Sequence, residues 1–133
     1  MKQSIIIGIL ISVILMSCSK SNSGGWAGTY NGTVSGSANI NRVVITQASS
    51  TSLQMQLQIL YAGSYITYVT IQNATVNGNT ATINEDGLIA GYTGTYHFSG
   101  SALLNSNNLT VTGSGTNTTN TADVKYYYFS GSK

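Results

Sequence analysis

Between Leu53 and Ile59 the chain alternates without a break, with Leu53, Met55, Leu57 and Ile59 interleaved by Gln54, Gln56 and Gln58. Successive side chains of an extended backbone point to opposite faces, so this stretch makes a strand with one apolar face and one amide face. A helix would scatter the same residues around its circumference. Burying the four apolar side chains contributes roughly 6 to 12 kcal/mol gross, most of it offset by the ordering of the backbone. Such a strand therefore needs partners that cover one face and leave the other wet.

From Trp26 onward the chain supplies those partners as short β-favouring runs separated by Gly, Asn and Ser, and no segment shows an apolar period of 3.6 residues. Strands are expected over 26–34, 40–47, 53–59, 65–72, 80–84, 91–99, 109–113 and 124–130. Asn77-Gly78-Asn79 reads as a tight turn between Ala74-Thr75-Val76 and the strand from Thr80, and Glu85-Asp86-Gly87 leads into the next strand. Short sequential connections imply a meander. About eight amphipathic strands without a proline fit an all-β fold, an antiparallel up-and-down barrel whose closure removes exposed edges. The alternative is a two-sheet β-sandwich. A barrel spanning an outer membrane fits less well, because a lipid-facing apolar band should then run through every strand.

Ahead of this region stands Lys2, an apolar run from Ile5 to Met16 broken only by Gly8 and Ser12, and then Ser17 and Cys18. The run is too short for the roughly 20 residues of a bilayer-spanning helix, and its length and flanks suit the core of a secretion signal. Leu15-Met16-Ser17-Cys18 resembles the lipobox of bacterial lipoproteins, with an aliphatic residue three before the cysteine and a small one directly before it. That resemblance implies lipid on the Cys18 thiol, cleavage before Cys18 and acylation of the new amino terminus. Cys18 is the single cysteine, so no intramolecular disulfide can form and no other thiol is present for catalysis or metal binding. The expected organisation is a lipoprotein signal over 1–17, a Ser-, Asn- and Gly-rich tether over 18–25 and one barrel domain over 26–133. In Bacteroidetes-type lipoproteins an export signal to the cell surface usually places acidic residues just after the cysteine. Ser19-Lys20-Ser21-Asn22 has none, which points to the periplasmic face of the outer membrane.

Charge excludes one class of partner. Beyond the signal the cations are Lys20, Arg42, Lys125 and Lys133, set against Glu85, Asp86 and Asp123, so the pI near 8.7 reflects scarcity of charge and not a basic patch. Nucleic-acid binding through phosphate contacts is not expected.

Gly24-Gly25-Trp26 places a G-x-W triplet at the start of the first strand, continued by Ala27-Gly28-Thr29-Tyr30. It resembles the opening of lipocalin-like and other calycin barrels. The segment from Gly94 to Gly100 followed by Leu109-Thr110-Val111-Thr112-Gly113 is similar to the repeated hairpins of small lipocalin-like lipoproteins of the Bacteroidetes kind. The resemblance implies a tryptophan that closes the barrel base against an arginine on or after the last strand. Trp26 is the matching position, and Lys125 is the cation within the expected last strand.

Candidate chemistry is thin. His97 lies between Tyr96 and Phe98, so if those rings face the core it points outward with Thr95 and Ser99 as a solvated imidazole. Glu85 and Asp86 sit in a turn sequence, no plausible metal-ligand cluster is evident, and neither enzymatic activity nor a cofactor is expected. The nine tyrosines are more informative. Tyr126 and Tyr128 share one face of the last strand with Val124, while Tyr127 shares the other with Lys125 and Phe129. Some rings pack in the interior, and others are available to a cavity or an exposed platform that contacts an apolar molecule or a sugar ring. Arg42 alternates with Ile40 and Val44 and would need an anionic partner if that face turned inward. The candidate ligand contacts are accordingly Trp26, Arg42, Tyr65, Tyr68, Tyr96, Tyr126 and Tyr128, with Cys18 as the lipid attachment site. The expected partners are the membrane, through lipid on Cys18, and a small apolar or glycan ligand. A structural or protein-interaction role in the envelope is the alternative.

Overall fold

Eight strands follow one another around a closed antiparallel barrel in the computed structural model, which describes residues 25–32, 39–47, 49 and 51–133. They are β1 (Gly28–Gly32), β2 (Arg42–Gln47), β3 (Ser52–Tyr61), β4 (Ser64–Asn77), β5 (Thr80–Gly87), β6 (Tyr96–Asn105), β7 (Asn108–Asn117) and β8 (Val124–Ser132). Every strand pairs with its sequence neighbours, and the ring closes where Asn31 meets Ser132 and Gly32 meets Gly131. The barrel is thus the architecture adopted, and the two-sheet sandwich is not. No α-helix occurs among the described residues. The signal, Cys18 and most of the expected tether lie outside them, as does the end of the first expected strand at Val34.

Inside, the alternation of β3 works as its sequence requires: Leu53, Met55 and Leu57 are fully buried, with Ile59 half-buried near the strand end. On the outer face the glutamine amides bond laterally, Gln54 Nε2 donating to Gln72 Oε1 at 2.6 Å. Trp26, Tyr30, Tyr96, Phe98, Phe129, Ile71, Ile83 and Leu109 complete a side-chain-filled interior. Three inward rings need room that only glycine leaves. A Cβ at Gly87 or Gly115 would strike the Phe98 ring, at Gly32 or Gly131 the Phe129 ring, and at Gly100 or Gly113 the Tyr127 hydroxyl. Large and small residues thus alternate across neighbouring strands as a narrow barrel demands.

Several strand bounds differ from expectation. The pieces over 65–72 and 74–76 are one strand, β4, which absorbs two extra residues: Gln72 and Asn73 together oppose Gln54, and Tyr68 is inserted between the partners of Leu57 and Gln58. The strand expected over 91–99 begins only at Tyr96, because Gly91 (φ 82°) and Gly94 (φ 94°) take a left-handed backbone that ends pairing. β6 and β7 run on to a two-residue turn at Ser106-Asn107. Gly78-Asn79 forms the tight turn expected there, with Asn77 paired to Thr80.

At the base Trp26 precedes β1 and plugs the end of the barrel, its Nε1 donating to the Gly78 carbonyl at 3.3 Å. The cation against this end is Lys133, which follows β8. Its Nζ donates to the carbonyls of Gly25 (2.6 Å) and Ala27 (2.9 Å) and lies 5.1 Å from the centre of the Tyr30 ring. Lys125 belongs to the opposite end of the strand.

Candidate functional site

β4 and β5 form the weak seam of the barrel wall. They pair only from Thr75–Thr82 to Asn77–Thr80, although β4 continues against β3 up to Ser64 and β5 continues against β6 up to Gly87. Above the short ladder the two strands part. The double residue at Gln72-Asn73 turns the β4 backbone at this point, because a bulge adds twist and breaks the ladder.

Side-chain and loop contacts bridge the parted strands. Glu85 sends both carboxylate oxygens across the seam, where they accept from the backbone N–H groups of Gln72 (2.5 Å) and Asn73 (2.9 Å). Further up, Ile89 forms a single bridge with Val69, and the Ala90 N–H donates to the Tyr68 carbonyl at 2.9 Å. Two consecutive N–H donors on one carboxylate make a charge-assisted clasp in place of the missing ladder.

The parting leaves an open groove of about 550 Å³ on the barrel flank. Thr67, Tyr68, Thr70 and Gln72 of β4 form one side, and Asp86, Gly87, Leu88, Ile89, Ala90 and Tyr92 form the other. Tyr68 and Tyr92 meet edge to face with centroids 6.4 Å apart and planes at 79°, and Tyr92 meets Tyr96 in the same way at 6.4 Å and 76°. Behind them Asp123 is held on both oxygens: Lys125 Nζ lies 2.7 Å from Oδ1, and the Tyr96 hydroxyl donates to Oδ2 at 2.6 Å. The Lys125 ammonium also sits 4.5 Å from the Tyr92 ring centre, which fixes that ring's back face. At the rim His97 Nδ1 and Asp86 Oδ1 are 2.7 Å apart, both largely exposed.

Electrostatics follow this geometry. The hydrogen bonds from Lys125 and Tyr96 hold the Asp123 carboxyl below its ordinary value, and the same carboxylate raises the proton affinity of Lys125. Tyr96 is raised chiefly by its bond to Asp123, and Tyr68 chiefly by burial and then by Tyr92, so both phenols stay protonated donors. No three His, Cys, Asp or Glu side chains converge as a metal site among the described residues. The groove offers ring faces and edges, aliphatic side chains, hydroxyls and a primary amide. Such an inventory is chemically suited to a ring with an apolar face and a polar rim.

The sequence-selected residues are distributed unevenly. Tyr68 lines the groove, and Tyr96, fully buried, supports it through Tyr92. Arg42 and Tyr65 come together elsewhere, on the outer wall, with the guanidinium 3.7 Å from the ring centre and Nε donating to Gln58 Oε1 at 2.6 Å. Val43 and Ile45 are the inward residues of β2, so Arg42 faces outward and needs no buried anion. Tyr126 and Tyr128 lie on the outer face of β8, where the Asn39 amide pairs with the Tyr126 carbonyl and the Tyr128 N–H. Trp26 is sealed in the base, far from the groove along the strand direction. His97 points outward as its neighbours require, with Asp86 as its partner.

Three contributors escaped the sequence reading. Tyr92 was hidden inside an expected strand, although its setting in Gly91-Tyr92-Thr93-Gly94 is a loop signal. Glu85 stands in a turn sequence and Lys125 is a lone cation on the last strand, so their partners across the seam and at Asp123 and Tyr92 appear only in the fold. No family model matches the chain, and no curated protein or solved structure matches it either.

Proposed function

We propose that this chain is a lipid-anchored cell-envelope barrel of lipocalin-like type that binds a small glycan in the groove between β4 and β5. The observation that carries the reading is the parting of these two strands around the Tyr68–Tyr92 pair, with Thr67, Thr70, Gln72 and Asp86 around it. The barrel interior is occupied by its own side chains, so the binding surface is the flank and not a central cavity. Aromatic rings supply the apolar contact for a sugar face, and hydroxyl, amide and carboxylate groups supply the orienting bonds. The membrane link rests on Lys2, the apolar run to Met16 and Cys18.

Titration calorimetry of the purified protein against a panel of neutral and acidic oligosaccharides, with fatty acids alongside, tests the binding claim. Tyr92→Ala should weaken glycan binding by about tenfold, in line with the loss of a stacked ring worth about 1.4 kcal/mol. Fatty-acid binding that ignores Tyr92→Ala, with no glycan bound, would sink it. The anchor is tested separately: mass spectrometry of the amino-terminal peptide should show acyl chains on Cys18, and Cys18→Ala should release the protein or block its processing. An unmodified Met1 in the mature protein would refute the anchor.

A further inference from the structure

The β3–β4 hairpin carries an exposed apolar tip outside the barrel core. Leu60 (51% exposed), Tyr61 (66%), Tyr65 (41%) and Ile66 (41%) stand within seven consecutive residues around the two-residue turn Ala62-Gly63. The tip stands clear of the wall: β2 pairs with β3 only as far as Gln58, and no β5 residue pairs with β4 above Thr75. We propose that this tip inserts into the interfacial region of a lipid bilayer carrying anionic headgroups.

Four observations select a lipid surface over a protein partner. The tip is a narrow finger, whereas a stable protein interface needs roughly 800 Å² from each side. Its backbone is paired within the hairpin up to Tyr61–Ser64, and the Leu60 N–H is taken by Asn41 Oδ1 at 2.8 Å, which reduces the number of polar groups that must keep water at the headgroup level. The side chains pair aliphatic residues with tyrosines, the combination enriched at the level of the headgroups. Charge is complementary as well: none of the residues from Leu60 to Ile66 is acidic, and Arg42, the single arginine, lies against Tyr65 where its guanidinium can meet a phosphate.

Reach permits the contact even on the reading that Cys18 is anchored at the opposite end. The residues from Ser19 to Gly25 can extend to about 25 Å, comparable with the rise of a tilted strand of the length of β3. A barrel lying along the bilayer could then touch it with both ends. The insertion itself does not depend on lipidation or on the glycan groove. It would bring the groove, which shares β4 with the hairpin, close to headgroup level.

The test uses the full chain with Tyr61→Trp and vesicles of phosphatidylcholine and phosphatidylglycerol brominated on the acyl chains. The introduced indole should shift to the blue and lose about half or more of its emission, while Trp26, sealed in the base, is unaffected in the parent chain. Adding Leu60→Ser and Ile66→Ser should abolish the quenching with the near-ultraviolet dichroism of the barrel intact, and Arg42→Gln should remove the preference for phosphatidylglycerol. Membrane recruitment through residues 1–18 without quenching at position 61 would overturn the proposal. So would a blue shift that appears without lipid and tracks self-association in ultracentrifugation, since the tip would then be covered by a second copy. Because Cys18→Ala reports on the anchor and the groove substitutions on the glycan, failure here is distinguishable from failure of either.

Discussion

Tyr127 shows how a single ring depends on what its neighbours lack. Its hydroxyl lies against the register pair Gly100 and Gly113 and donates to the Ser99 carbonyl at 3.3 Å, and burial pushes its ionisation far above the ordinary tyrosine range. A methyl group at position 113 has no space, because it overlaps both the Tyr127 hydroxyl and the Ser99 carbonyl. Gly113→Ala should therefore cost about 2 to 3 kcal/mol in denaturant unfolding. Adding Tyr127→Phe should recover only part of that, since the carbonyl remains in the way. Asp123 makes a different point, about pH. Its carboxyl is lowered in the folded protein, so its stabilising contribution is complete above the ordinary value of 3.8 and is lost as pH falls through the lower folded value. For Lys125 the sign is opposite: the contribution is complete below 10.5 and is lost as pH rises through the higher folded value. Asp123→Asn should thus lower the melting temperature most near neutrality and leave it unchanged in strong acid. A deficit of constant size across that range would show that the pair contributes through packing and not through charge.

Strand β4 is where element-level reasoning both succeeds and fails. Leu53 to Ile59 announces its partner's need for an apolar face, and Val69, Ile71 and Ala74 provide it. Their spacing breaks step between Ile71 and Ala74, because Gln72 and Asn73 share one opposing residue. From sequence that break looks like the end of a strand, since a bulge changes the phase of alternation without any residue type unique to it. The same bulge presents two N–H groups to Glu85. Glu85→Gln retains one accepting oxygen and loses the charge, so amide exchange at Gln72 and Asn73 should accelerate, with a loss of about 1 kcal/mol in overall stability. Hydrogen-exchange spectra resolve the two amides, and unchanged protection at both would mean that Glu85 is a bystander to the seam. Gly91 and Gly94 are the converse case. Their backbone is left-handed in the loop, and only their placement on either side of Tyr92-Thr93, not the residue type itself, sets them apart from the extended glycines inside β6 and β7.

At the scale of the whole molecule, the strand count, their antiparallel order and the buried face of β3 were legible in the chain, because a period of two and a turn of two or three residues are local properties. The candidate site was legible only in part. Tyr68 stood out by composition, but its companions Tyr92, Glu85 and Lys125 matter through partners that lie far away in sequence. Closure is non-local in the same way. Alternation says which face each strand buries, and a sandwich would satisfy it as well as a barrel; the pairing of Asn31 and Gly32 with Ser132 and Gly131 decides between them. The inward glycines belong to this category too, since each is required by a ring on another strand. The sequence by itself thus determined that the domain would be built from amphipathic antiparallel strands. The tertiary structure alone decided that they close, that the wall parts between β4 and β5, and that a tyrosine groove opens there. These outcomes turn on which lengths of backbone pair, β1 with β8 at the closure and β4 with β5 only from Thr75 to Asn77, and that is set by the whole ring of strands together.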